Sequence, residues 1–187
     1  MSGTPISYVA ADYAGATRQL TEQLFALGHR RIAYARIGDG EAQPSRDREK
    51  GFRRAMPEGE ARRLTGPVWT LESPDDVPGL LAEIHHGGIT AVVAEQILLA
   101  DELLTCAQRH GRSVPDDLSI VVLGDSTGAP RTGTPWTGLV VPREQMGRQA
   151  THLLVRLLET PEPEARREYV ECPLMPGATV APPRREQ

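Results

Sequence analysis

Short runs of apolar, often β-branched residues alternate along this chain with longer stretches whose apolar positions recur at helical spacing. That rhythm predicts an α/β fold, a parallel sheet flanked by helices. After an extended start at Tyr8-Val9-Ala10-Ala11, the stretch Gly15 to Leu27 puts Ala16, Leu20, Leu24 and Leu27 on one helical face, and Gly28 supplies the stop. Arg31 to Ala35 reads as a buried strand, Ser45 to Met56 as a helix with Ser45 as its cap, and Val68 to Leu71 as a strand. Ser73-Pro74-Asp75-Asp76 has the form of a helix start leading into Leu80, Leu81 and Ile84. Ile89 to Ala94 and Leu118 to Leu123 are continuous apolar runs, predicted as strands covered on both faces, with a helix from Ile97 to His110 between them.

From Gly124 the pattern changes. A Gly/Pro/Thr-rich stretch runs to Pro135, followed by a short strand at Gly138 to Val141 and an amphipathic helix from Arg143 to Leu158. Pro161 to Glu164 reads as a linker, and Glu168 to Cys172 as an edge strand before a Pro- and Arg-rich tail. No internal repeat is apparent.

The 187 residues are enough for one domain with a real core. A net charge of −4 makes the surface as a whole repel a phosphate backbone, so this chain alone is not expected to grip DNA. Cys106 and Cys172 lie far apart, which argues against a disulfide framework or a zinc cluster and fits a reducing cytoplasm. The start carries neither the basic nor the apolar part of an export signal, and no apolar run approaches the ~20 residues of a membrane span.

No catalytic motif stands out, and neither a cofactor nor a metal is expected. Gly38-Asp39-Gly40 lacks the third glycine of a phosphate loop and reads as a surface turn, while adjacent His85 and His86 point about 100° apart on a helix and cannot clamp one metal. Polar residues at strand ends are more informative, because open α/β sheets bind ligands beyond their carboxyl edges. Arg48 follows the first strand, Trp69 lies in the second, Gln96 follows the third and Asp125 the fourth. A guanidinium fork, an indole face, an amide and a carboxylate together suit a small polar molecule. Singly, each also fits a solvated, core-filling or turn residue.

Six blocks resemble the core of the LacI/GalR repressor family. They are Asp12-Tyr13-Ala14-Gly15-Ala16 with Leu27 to Ala33, Ser45-x-x-Arg48-x-x-Gly51-Phe52, Thr90 to Ala94, Val114 to Val121, and Pro142-x-x-x-Met146-Gly147-x-x-Ala150. The resemblance implies a periplasmic-binding-protein-like fold without the DNA-binding head: residues 8–134 and 164–183 mainly the carboxy-terminal lobe, and 135–160 a crossover toward a largely missing amino-terminal lobe. It implies effector contacts at Arg48 and Trp69, with Gln96, Asp125 and Asp12 as further candidates. Two departures weigh against a simple sugar: Gly124 stands where the family has an acidic residue, and Gln96-Ile97 where it has Asn-Asp.

The function implied is small-molecule sensing in a cytoplasmic, homodimeric repressor that meets operator DNA through a separate helix-turn-helix head. The alternatives are a transporter's solute-binding protein, which shares the fold, and a small α/β enzyme using Asp125 or His29.

Overall fold

A computed structural model describes residues 6–56, 68–124, 133–160 and 164–184. The elements in order are β1 (Tyr8–Ala11), α1 (Tyr13–Ala26), β2 (Ile32–Ile37), α2 (Gln43–Ala55), β3 (Val68–Leu71), a 3-10 turn at Pro74–Asp76 and α3 (Val77–His86). There follow β4 (Ala91–Ala94), α4 (Ile97–Arg109), β5 (Ser119–Val122), β6 (Thr137–Leu139), α5 (Arg143–Glu159), β7 (Arg167–Val170) and β8 (Leu174–Met175). The large sheet runs β3-β2-β4-β5-β6-β8, parallel except for β8, which pairs antiparallel with β6.

The pure apolar character of the central strands follows from two cores, one on each face. Ala33, Ala35, Val92, Ala94, Ile120 and Val122 pack toward the face that also buries Leu80 and Ile84 of α3 and Leu99 and Leu103 of α4. Their alternates, Ile32, Tyr34, Ala91, Val93 and Val121, pack with Ala16, Leu20 and Leu24 of α1 and Phe52 of α2. Successive strand residues face opposite ways, so only a strand apolar at every position satisfies both cores.

Local signals place the helix ends. Gly28 (φ +103°) follows α1 and Gly111 (φ +70°) follows α4, each in the left-handed region that glycine enters without steric penalty. Ser73 caps the turn before α3 reciprocally with Asp76. Ser45 does not cap α2: the helix starts at Gln43 with Pro44 in its first turn, leaving Ser45 inside and buried.

The two late strands also differ from expectation. The strand at 137–139 stays in the large sheet beside β5, whereas β7 leaves it and pairs in parallel with β1. These two strands and α5 form a smaller group, since α5 packs on β1. Leu153 is the buried residue of α5, while Leu154, Val155 and Leu158 are exposed. The linkers expected at 125–132 and 161–163 lie outside the described residues.

His29 ties the tail to the sheet. Its Nε2 lies 2.9 Å from the Ala181 carbonyl, which can only accept, so this nitrogen carries the proton and Nδ1 is left to accept from the Thr90 hydroxyl at 2.8 Å. Burial lowers the His29 pKa below its ordinary 6.5, against an opposing pull from the Ala181 hydrogen bond. The neutral ring is therefore the form the fold favours. Its stabilising contribution is complete above pH 6.5 and is lost as pH falls from 6.5 toward the lowered folded value. Thermal melts across this window should show wild-type Tm falling with acidity and a shallower fall in His29→Asn. Parallel curves for the two proteins would contradict this role.

Candidate functional site

In a parallel sheet each following helix runs back toward the amino ends of the strands, so helix starts gather at the carboxyl edge. Asp12 opens α1 there, its Oδ1 accepting the Gly15 N–H at 2.8 Å. A β-carbon at Gly15 would lie 2.2 Å from Asp12 Oδ2, which accounts for the small residue after this cap. One residue on, the Tyr13 ring carries the Arg48 guanidinium 4.2 Å above its centroid, a cation–π contact between α1 and α2.

Beneath this stack lies Glu95, a buried carboxylate immediately after β4 that inspection of the sequence passes over. Its Oε2 accepts from the Tyr34 hydroxyl at 2.5 Å and from the Ser45 hydroxyl at 2.7 Å. Its Oε1 lies 3.5 Å from Arg48 Nη1. Burial first, and then the Glu95 hydrogen bond and charge, push the Tyr34 phenol above its ordinary pKa, so it stays protonated and donates. Among the described residues, Arg48 Nε is buried without a hydrogen-bond partner.

A second ion pair flanks the first. Arg36, at the end of β2, meets Glu49 of α2 at 2.5 Å and donates from Nε to the Thr70 hydroxyl at 3.2 Å. Burial disfavours the Glu49 carboxylate, but hydrogen bonds from Arg36 and Arg53 outweigh it and hold its pKa below the usual range. Gly40 (φ +71°) lets the following loop close on Arg36, since a β-carbon there would sit 2.3 Å from its Cζ.

The five sequence candidates separate. Asp12 and Arg48 fall in one place. Gln96 is adjacent, but its amide is engaged: Oε1 accepts from the Ile37 N–H and Nε2 donates to the Ile37 carbonyl, both at 3.0 Å, extending the β2–β4 pairing by one side chain. Trp69 does not join the cluster. It sits opposite Ala35 in register and packs on the α3/α4 face, lining an open groove with Glu72, Asp75 and Glu83. Asp125 lies outside the described residues. Gly124 backs onto the Glu95 carbonyl, which a β-carbon would approach to 3.1 Å.

Neither nitrogen of His29 is free for chemistry. Among the described residues no group of three or more His, Cys, Asp or Glu could hold a metal ion, and no helix is long and apolar enough to cross a membrane.

Residues 21–180 match the periplasmic binding protein-like domain. The chain is 32% identical over 164 residues to the HTH-type transcriptional regulator CelR of Thermobifida fusca, an alignment covering 84% of this chain and 48% of that protein. A solved transcriptional regulator CelR–cellobiose complex superposes with a TM-score of 0.73 at 30% identity, over 94% of this chain and 54% of the other. A LacI transcriptional regulator from a Rhodococcus species gives a TM-score of 0.79 at 26% identity, over 98% and 68%. The chain thus belongs to the periplasmic binding protein-like domain family, and within it is similar to transcriptional regulators of the LacI type. It spans about half the length of the curated relatives it matches.

Proposed function

We propose that this chain senses a small molecule at the carboxyl edge of its large sheet and so sets the operator affinity of a LacI-type regulator through a separate helix-turn-helix domain. The observation that carries this is the convergence of Asp12 and Tyr13, Arg48, and Glu95, drawn from three separate stretches of chain, at the edge where open α/β sheets take ligands. The relatives that match are transcriptional regulators, which favours this reading over a transporter's solute-binding protein. Coupling follows from linkage: a ligand that binds one lobe orientation better than another shifts the population toward it. Cytoplasmic location and homodimeric assembly belong to the same proposal.

Sugars are the first ligands to screen, because one solved relative holds cellobiose and another ribose. Thermal shift on this chain against mono- and disaccharides is the test. A ligand at 100 times its Kd adds about 2.7 kcal/mol, a rise in Tm of roughly 5–10 °C for a domain of this size. A panel in which no saccharide moves Tm would count against the proposal.

A further inference from the structure

Helix α2 has two unlike faces. At about 100° per residue, Ser45, Arg48, Gly51, Phe52 and Ala55 fall on one side, against the sheet and α1, and Arg46, Lys50, Arg53 and Arg54 on the other. These four cations cover an arc of about 100°, nearly opposite Arg48, and about 12 Å along the helix axis. All four are exposed and, with Glu49, they line an open groove of about 390 Å³.

Arg46, Lys50 and Arg54 follow one another at intervals of four, the spacing that brings helical side chains together, and like charges placed so repel. Glu49 relieves them little, since it turns to Arg36 at 2.5 Å and takes Arg53 at 2.7 Å. Arg46 meets Glu41 of the preceding loop, but both side chains are more than half exposed and solvent screens the pair. Lys50 and Arg54 also border a smaller cavity with Asp12 and Asp47, yet Asp12 accepts from the Gly15 N–H and Asp47 from the Gln43 amide. Among the described residues neither Lys50 nor Arg54 has an ion-pair partner. A chain of net charge −4 thus gathers cations on one helix face at a cost to that helix.

We propose that the outer face of α2 is a binding site for a small molecule carrying two or more phosphates, gripped by Arg46, Lys50, Arg53 and Arg54. Guanidinium forks take phosphate oxygens in pairs, and a lysine adds a compact charge. Four cations within about 12 Å exceed what one carboxylate can neutralise, and they match a compact polyanion. A long one fits less well. Screening confines the attraction to about 10 Å, beyond which a DNA duplex meets a chain of net charge −4. Arg48 and the carboxyl edge lie on the other side of the helix, so this ligand is additional to the effector, and its site stands or falls independently of effector sensing.

The test is calorimetric titration of this chain with sodium triphosphate, inorganic phosphate, a short DNA duplex and oligoglutamate at physiological ionic strength. Triphosphate should bind about tenfold or more tightly than inorganic phosphate, and Lys50→Gln/Arg54→Gln should weaken it by about tenfold or more. Arg109→Gln/Arg148→Gln, which removes the same charge from α4 and α5, should bind triphosphate within about threefold of wild type. Equal losses in the two double variants would mean a response to net charge and overturn the site. Triphosphate no tighter than inorganic phosphate, tighter binding of the duplex or of oligoglutamate, or no binding of triphosphate would each overturn it too. If Lys50→Gln/Arg54→Gln fails to fold, the wild-type order of affinities decides.

Discussion

Arg48→Ala should destabilise this chain by about 3–5 kcal/mol, because it leaves the Glu95 carboxylate buried without its counter-charge. At roughly 2–4 °C per kcal/mol for a domain of this length, Tm should fall by roughly 10 °C. Arg48 thus balances a buried charge, whatever it also does toward a ligand. Glu95 is 5% exposed, and its two hydroxyl donors supply hydrogen bonds but no charge. The loss should be reversible by design. In Arg48→Met/Glu95→Gln the charge is gone from both sides, the methionine stem can still lie on Tyr13, and the amide can still accept from Tyr34. That double variant should recover more than half of the lost stability, as buried ion pairs replaced whole commonly do. Urea melts of the two variants decide it: a single variant within 1 kcal/mol of wild type would mean that water reaches Glu95 freely.

The elements written into single stretches of sequence were legible, and those assembled from several stretches were not. Ala91–Ala94 and Ser119–Val122 announce themselves because strands buried on both faces must be apolar throughout. Gly28 and Gly111 mark helix ends because the backbone there needs positive φ. Ser45 misled because serine is a common cap, yet its hydroxyl serves Glu95, 50 residues away. The strand at 167–170 was legible as an edge strand, but its sequence does not name its neighbour, and only the fold shows that it pairs with β1.

The site shows the same division. Asp12 and Arg48 sit in local motifs, so both could be read as candidates from single stretches of sequence. Trp69 was attractive for its indole, but alternation along a strand says only that Trp69 and Thr70 face opposite ways, not which of them faces α2. The register with Ala35 settles that, and it requires the fold. Glu95 had no local signal, since a glutamate after an apolar strand ordinarily turns to solvent. Its burial depends on Tyr34, Ser45 and Arg48, which come from two other elements.

Gly51→Ala is the second change with a large expected effect, and its sign is opposite to the ordinary one. A glycine inside a helix is usually about 1 kcal/mol worse than alanine, so replacing it should stabilise. Gly147 in α5 is such a case, with nothing within 4 Å of an added β-carbon, and Gly147→Ala should raise Tm by a few degrees. At Gly51 the added carbon would lie 2.3 Å from the Ala14 carbonyl oxygen, and 3.0 Å from that residue's carbonyl and α carbons. These are backbone atoms of a second helix, so they yield only if α1 and α2 separate, at a cost of about 1–3 kcal/mol. Separation also moves the site. Arg48 is one helical turn before Gly51 on α2, and Tyr13 immediately precedes Ala14 on α1, so the close crossing is what lays the guanidinium over the ring. Gly51→Ala should therefore lower Tm by roughly 5 °C and weaken effector binding together, whereas Gly147→Ala should leave binding alone. A Gly51→Ala protein that melts higher than wild type would show that the two helices do not touch at this point.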